Sequence, residues 1–317
     1  MEACYIAGMS GQQSGKGVDG RNGIDHLQHE PNTTGNQHQD LVVVTGHVYD
    51  SIECIVAAYT RRINALRPHE RVELVGKRAM LFHMGHSSTT VVMVEIKARS
   101  SEPITISATP ILEAHLLSYS YNPALGSVDY DDALYKQLLL TVGERYKGSN
   151  DINADTVKKG SKRDIRLMLG CERIKKLLST IPTAHATIEN LSESRGDVNF
   201  TVTSAEYEVY VQHLTAMVHK TIVSTVTDGT DMNDVKLLEI FGGGSRMPVV
   251  QHVLKGLFPG VSLGAKMEDT SIALGASLLC QNELAGSVVE TEVEVGMDNA
   301  TATESATETG TDTDATA

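Results

Sequence analysis

Leu237-Leu-Glu-Ile-Phe-Gly-Gly-Gly-Ser-Arg-Met-Pro248 is the stretch on which a reading of this chain turns. The apolar run Leu237 to Phe241 reads as a buried strand. Gly242, Gly243 and Gly244 end it, and Arg246 follows. Pro248 stands where the first turn of a new helix tolerates proline. Beyond it, Val249, Val250, Val253, Leu254 and Leu257 fall on one helical stripe. Strand, glycine turn and helix start together expose backbone N–H groups and let a flat ligand approach the main chain. The same residues also make an ordinary strand-to-helix turn with no ligand, since glycine turns after buried strands are common.

The chain of 317 residues has room for one large domain or two small ones, and its apolar share of 41% allows a sizeable core. With no Trp and 4% aromatics, that core must be aliphatic. A net charge of −13 disfavours a nucleic-acid partner. Eight of the acids, from Glu290 to Asp314, lie in residues 286–317, which hold no base; without them the rest carries −5. Cys4, Cys54, Cys171 and Cys280 form no Cys-x-x-Cys pair, which suits a reduced, cytoplasmic protein. Met1 to Gly20 has no apolar leader core, and no run is long enough to span a bilayer, so no membrane is expected. The Asn-x-Ser/Thr triplets at Asn32, Asn190, Asn199 and Asn299 are therefore expected to stay unmodified.

Residues 1–39 are rich in Gly, Gln, Asn, His and Asp and read as a segment of low order. Ser14-Gly-Lys-Gly17 fails as a phosphate loop: Ser10 and Gly17 are the wrong residues, and no strand precedes it. His26, His29 and His38 lack a metal-ligand spacing. Folded structure is expected from Leu41, with strands at Leu41 to Thr45, Ala79 to Phe82, Val91 to Ile96 and Ile104 to Ala108. Asp50 or Ser51 would cap a helix over Ile52 to Ile63. Between the second and third strands, His83-Met-Gly-His-Ser-Ser88 reads as a hairpin turn whose N–H groups and hydroxyls suit phosphate, or as a plain turn. Amphipathic helices follow over Asp129 to Tyr146 and Arg163 to Thr180. The second has an apolar stripe of Leu167, Cys171, Ile174 and Leu178 and a polar face of Glu172, Lys175, Lys176 and Ser179. Ala184 to Leu191 and Val198 to Val202 read as strands. Thr203-Ser-Ala-Glu206 is a capping box opening one helix with Tyr210, Leu214, Met217, Val218 and Ile222 on one side. Asp269 is expected to cap a last helix with Ile272, Ala273, Ala276 and Leu279 inward and Gly275 at a close contact. The Thr/Glu/Ala tail reads as disordered.

In this order, from about Leu41 to Asn282, the pieces resemble the second lobe of the nucleotide-binding domain of the heat shock protein 70 family. Phe241 to Pro248 resembles the family's adenosine loop, V-G-G-S-T-R-I-P. Cys171-Glu-Arg-Ile-Lys-Lys-Leu-Leu-Ser179 resembles C-E-R-A-K-R-x-L-S, whose polar face holds adenine and ribose. Glu268 to Ala276 resembles P-D-E-A-V-A-x-G-A, and Leu125 to Asp131 is a poorer match to L-G-G-E-D-F-D. The hairpin of the folding chaperones reads D-L-G-G-G-T-F-D. Gly85-His86-Ser87-Ser88 is instead similar to the heat shock protein 110 branch, which serves as nucleotide-exchange factor and holdase.

The resemblance implies an α/β fold: an actin-like, ribonuclease-H-like ATPase half-domain with a mixed sheet and flanking helices. It would occupy residues 40–285, between a low-order segment at 1–39 and an acidic tail at 286–317. It implies weak or vestigial ATP/ADP binding, with magnesium entering through the nucleotide, and a heat shock protein 70-type chaperone as partner. Gly85, His86, Ser87 and Ser88 would face phosphate. Glu172, Lys175, Lys176, Ser179, Gly243, Gly244, Ser245 and Arg246 would surround adenosine, with Arg246 stacked on the base and Asp269 in support. No catalytic residue or metal ligand is assigned.

The departures weigh as much. Nothing in residues 1–40 matches the family's first lobe, with its D-L-G-T-T turn and its lysine near the transferred phosphate. His83 and Thr90 replace the hairpin aspartates, and the residues after Asn282 are not expected to form a peptide-binding domain. Phosphoryl transfer needs metal and nucleophile positioned from both sides of the phosphates, so a competent ATPase is not expected. Two alternatives stand beside a nucleotide-binding module of the exchange-factor type: an interaction protein without nucleotide, and an incomplete gene model of a longer chaperone whose first exons are missing.

Overall fold

The structure is a computed structural model and describes residues 48–99, 110–145, 156–226 and 231–283. The expected strands at 41–45 and 104–108, the N-terminal segment 1–39 and the tail 286–317 lie outside the described residues. Two compact units divide the chain, Ala58–Ser271 and the smaller Met1–Ala57 with Ile272–Ala317. Along the chain run α1 (Ser51–Asn64), α2 (Pro68–Leu74), β1 (Arg78–Met84), β2 (Thr89–Ala98), β3 (Leu112–Asn122), α3 (Ser127–Arg145) and α4 (Lys162–Leu178). There follow β4 (Thr183–Ser192), β5 (Gly196–Thr203), α5 (Ser204–Tyr210), α6 (Gln212–Val223), β6 (Val235–Phe241), α7 (Pro248–Leu257) and β7 (Leu263–Gly264). Residues 271–283 form a last helix, α8. No helix among the described residues is long and apolar enough to cross a membrane.

In the larger unit five strands form a mixed sheet in the order β3-β2-β1-β6-β7. β1–β2 and β2–β3 are antiparallel, whereas β6 runs parallel to β1 and β7 parallel to β6. The expected α/β class, a mixed sheet with flanking helices, is the one found. Met80, Leu81 and Phe82 in β1 and Val91 to Val94 in β2 are wholly buried. Strands covered on both faces read as continuous apolar runs, which is why these two stand out in the sequence.

β3 has no such signature. Its register shifts opposite Met93/Val94, Leu116 and Tyr119 face solvent, and the buried Ser118 points its hydroxyl at the Thr225 carbonyl (2.6 Å). The first half of this outer strand is nonetheless bonded on its open side. Asn64 accepts from the Leu112 N–H (2.9 Å) and donates to the Leu112 carbonyl (2.7 Å), while the Thr60 hydroxyl accepts from the Ala114 N–H (3.2 Å).

β4 and β5 form a separate antiparallel pair, with α4 laid on β4. The predicted α4 stripe of Leu167, Cys171, Ile174 and Leu178 is buried, and a β-carbon on Gly170 would come within 2.6 Å of Ile188. The capping box at Thr203 and Glu206 forms as read. The single helix expected after it is two: Val211 leaves helical dihedrals (φ −103, ψ 8) while remaining fully buried, so α5 ends and α6 begins there. Tyr210 and Met217 are only partly buried, and Tyr207, Val211, Leu214, Val218 and Ile222 make the inward stripe.

In the smaller unit Asp50 accepts from the Ile52 N–H (2.9 Å) and caps α1, as the sequence predicts. Gly275 sits against α1 so closely that a β-carbon would lie 1.8 Å from the Cys54 carbonyl oxygen. Ala276 is buried beside Tyr49 and Cys54, with Ile272 and Leu279 packed on them; Ala273, expected inward, faces solvent.

β6 lies between β1 and β7, so its amides should exchange among the slowest in the chain. Leu238→Ala, at a side chain 1% exposed, should cost about 2–5 kcal/mol of unfolding free energy, read from the denaturant midpoint.

Candidate functional site

Parallel pairing sets the geometry. β1 and β6 run the same way with His83 opposite Phe241, and the two rings lie 4.8 Å apart. Both strands end at one edge, so the hairpin tip after β1 and the glycine turn after β6 leave the sheet side by side. The carboxyl ends of parallel strands are where ligands enter such sheets.

The hairpin tip is held from behind. The Gly85 N–H donates to the Ser88 carbonyl (2.9 Å). The first N–H groups of α3, which no turn of its own satisfies, donate outward: Ser127 to the Gly85 carbonyl (3.0 Å) and Val128 to the His86 carbonyl (2.9 Å). Gly126 has no room for a β-carbon, which would fall 2.3 Å from the His86 carbonyl oxygen. His86 and Ser87 are exposed, Gly85 is half-buried and Ser88 is buried. Thr90, opposite His83 in the ladder, is also buried.

α4 supplies the second side. Ser161 caps it by accepting from the Asp164 N–H (3.2 Å). Glu172 and Lys176 pair one turn apart at 2.6 Å; the ammonium holds the Glu172 carboxyl below its usual range and is itself raised. Ser179, at the exposed end, donates its hydroxyl to the Lys175 carbonyl (3.2 Å). Lys175 departs from the expected polar face. It is 8% exposed, and its Nζ turns inward to Asp131 on α3 (2.5 Å) and to the Ser127 carbonyl (2.9 Å). Burial raises the Asp131 carboxyl, a trend that Lys175 opposes. Lys175 donates to the carbonyl of Ser127, whose own N–H holds the Gly85 carbonyl, so hairpin tip and α4 face share one locality.

The glycine turn is the third side, and its three glycines differ. Gly242 takes φ +85, and a β-carbon there would meet the Met84 carbonyl oxygen at 2.4 Å; one on Gly244 would meet the Met84 side chain at 2.4 Å. Gly243 has no positive φ, is exposed, and has nothing within 4 Å of an added β-carbon. The positive φ thus belongs to Gly242, and close packing to Gly242 and Gly244. Ser245 is buried and donates its hydroxyl to the Gly242 carbonyl (2.8 Å). Arg246 lies 70% exposed with its guanidinium on both Asp269 oxygens (3.0 and 2.9 Å). Asp269, expected to cap α8, accepts from the Gly242 N–H (3.2 Å) rather than from a helical N–H.

A hollow of about 280 Å³ lies elsewhere, between α3 and the α5–α6 bend, with Asp129, Asp132, Lys136, Tyr210 and His213 in its walls. The sequence gives no signal of it, because its walls are solvent-side positions of separate helices. Among the described residues, no three His, Cys, Asp or Glu side chains gather as a metal site would require.

Comparison with known proteins gives a match over residues 74–295 to the family model described as Hsp70 protein. Heat shock 70 kDa protein 14 of Arabidopsis thaliana is 27% identical over 166 residues, covering 52% of this chain and 19% of that protein. Heat shock protein hsp88 of Neurospora crassa is 28% identical over 206 residues, covering 64% and 26%. The 97 kDa heat shock protein of Mesocentrotus franciscanus is 28% identical over 184 residues, covering 57% and 20%. The chain thus spans between 19% and 26% of the length of these three relatives.

The three glycines should separate on substitution. Gly242→Ala and Gly244→Ala should each lower the unfolding midpoint, since Met84 must shift and, at 242, an L-residue is forced to positive φ. Gly243→Ala should leave it within about 0.5 kcal/mol of wild type.

Proposed function

Because this chain belongs to the Hsp70 protein family, we propose that its glycine turn and α4 face form one wall of an adenine-nucleotide site. The observation that carries this reading is Gly243: exposed, with open space where a side chain would begin, on a turn that its neighbours anchor against Met84. A base can lie against such a backbone only where no β-carbon stands in the way. Arg246 covers the base as a planar cation. Gly244 belongs to the adenosine side as part of the turn. Glu172, Lys176 and Ser179 line the ribose side, and Gly85, His86 and Ser87 the phosphate side. Ser88, Lys175 and Ser245 support the wall from within, and the exposed Asp269 supports it by holding the Gly242 N–H and Arg246. ATP or ADP would bring magnesium on its phosphates. His83, ringed against Phe241, and buried Thr90 offer no carboxylate to organise that ion for hydrolysis.

In this reading the protein is a nucleotide-exchange or co-chaperone module of the cytoplasm, with a heat shock protein 70-type chaperone as partner. Its hairpin tip, Gly85-His-Ser-Ser88, is of the exchange-factor kind. One observation favours a second reading, an interaction protein without nucleotide. Ile165 and Leu169 on α4 are 53% and 59% exposed, among the exposed cations Lys162, Arg166 and Arg173. A nucleotide titration separates the two.

Calorimetry with ADP at high protein concentration should show weak binding. Gly243→Ala and Lys176→Glu should weaken it further. Arg246→Ala should cost about 0.5–1 kcal/mol of affinity with the unfolding midpoint nearly unmoved, because its exposed pair with Asp269 contributes little. No heat from the wild type, or equal affinity in all variants, would leave the interaction reading in place.

Hydrolysis should stay at the uncatalysed background. A magnesium-dependent rate in the purified chain that Gly85→Ala abolishes would show that His83 and Thr90 are no obstacle.

A further inference from the structure

We propose that the buried Lys175–Asp131 pair is a positioning element. It fixes the hairpin tip from behind, so that a grip on phosphate depends on two residues that do not touch the ligand. The inference rests on the nucleotide reading above only for the identity of what the tip holds.

The links are continuous. Lys175 leaves α4 at the level of Glu172 and Lys176, yet its Nζ lies on Asp131 (2.5 Å) and on the Ser127 carbonyl (2.9 Å). The Ser127 N–H holds the Gly85 carbonyl (3.0 Å), and the next N–H, of Val128, holds the His86 carbonyl (2.9 Å). Gly126 is pressed against His86 and Ser87 with no space for a β-carbon, so the tip and the start of α3 move together or not at all. An ammonium on α4 thereby sets the height of the turn at Gly85 to Ser88.

Packing alone does not account for the pair. The α3–α4 interface already holds Tyr130, Leu134, Leu138, Cys171 and Ile174 in the core. Two apolar side chains of similar volume would serve such an interface as well as an ion pair or better. What apolar side chains lack is a donor for the Ser127 carbonyl and a charge that cannot be left alone. Asp131 is 5% exposed, and its second oxygen, Oδ1, has no hydrogen-bond partner among the described residues. Lys175 therefore carries the compensation of that carboxylate, and breaking one partner strands the other in the interior. The arrangement has one stable geometry, as a positioning device requires.

The test uses the full chain and three variants: Asp131→Asn, Lys175→Met and the apolar double Asp131→Leu/Lys175→Met. The double keeps the experiment interpretable if a single variant fails to fold, since it leaves no charge stranded. Two quantities are read, amide exchange at the tip, that is at Gly85, Ser127 and Val128, against that of β6, and calorimetric affinity for ADP against adenosine. In the folded double variant, exchange at the tip should rise about tenfold or more with β6 unchanged. ADP affinity should fall about tenfold, equivalent to about 1.4 kcal/mol, with adenosine within about twofold of wild type. Unchanged exchange at the tip would overturn the proposal. So would an equal loss for adenosine, which would mean that Lys175 touches the nucleoside itself. If the wild type binds neither compound, the nucleotide reading fails by itself, and the exchange result alone decides whether the pair positions the tip.

Discussion

The ladder between β1 and β6 is parallel, and the rest of the site follows from that direction. Strands that ran opposite ways would send the hairpin tip and the glycine turn to opposite edges of the sheet. Here His83 stands across from Phe241, and the next residues of both strands turn out together. A parallel pair cannot be closed by a tight turn; it needs a long crossover. This chain places α3, α4, the β4–β5 pair and the α5–α6 helices in the stretch between β3 and β6. The crossover thus delivers α4, with Glu172 and Lys176 on its open face, to the tip that Ser127 and Val128 hold.

Within the site a division separates residues that hold the wall from those that present it. Gly242, Gly244, Ser245, Ser88 and Lys175 are turned inward, with their polar or steric capacity used by neighbours. His86, Ser87, Gly243, Lys176 and Arg246 are turned outward. Residues next to each other in the chain thus do opposite things: Ser87 precedes the inward Ser88, Gly243 lies between Gly242 and Gly244, Lys176 follows Lys175 and Arg246 follows Ser245. Gly243 shows this best, since its freedom from neighbours depends on Met84 filling the space beside the glycines before and after it.

Much of this was legible in the residues. β1 and β2 carry continuous apolar runs because both faces are covered, β6 a shorter run broken at Glu239, and the α4 stripe and the Thr203 capping box are local patterns that tertiary contacts did not override. β3 was not legible, because an outer strand with a shifted register buries Ser118 and exposes Leu116, which erases the alternation. The break at Val211 was hidden because the inward residues keep helical spacing through it. Within the site, residue identity gave the neighbourhood but not the orientation. Lys175 sits in a charged stretch beside Lys176, and its partner Asp131 is 44 residues away in sequence. Nor does a run of three glycines say which one takes the positive φ, or that Met84 on another strand fills the space beside Gly242 and Gly244. Asp269 looked like a cap because it stands just before a helix, but the Gly242 N–H and Arg246 claim its carboxylate.

Asn64 and Thr60 matter beyond the few bonds they make. An outer strand shows a row of backbone donors and acceptors to which a foreign strand can add, and proteins that leave such rows open tend to self-associate. Along the first half of β3 the Asn64 amide imitates a neighbouring strand, taking one N–H and giving one back to the same residue, while Thr60 takes the next N–H but one. The sheet is thereby finished at this border by side chains from a helix. A change at Asn64 would leave the Leu112 N–H and carbonyl open to a foreign strand, at the border of the sheet opposite the one that β7 occupies.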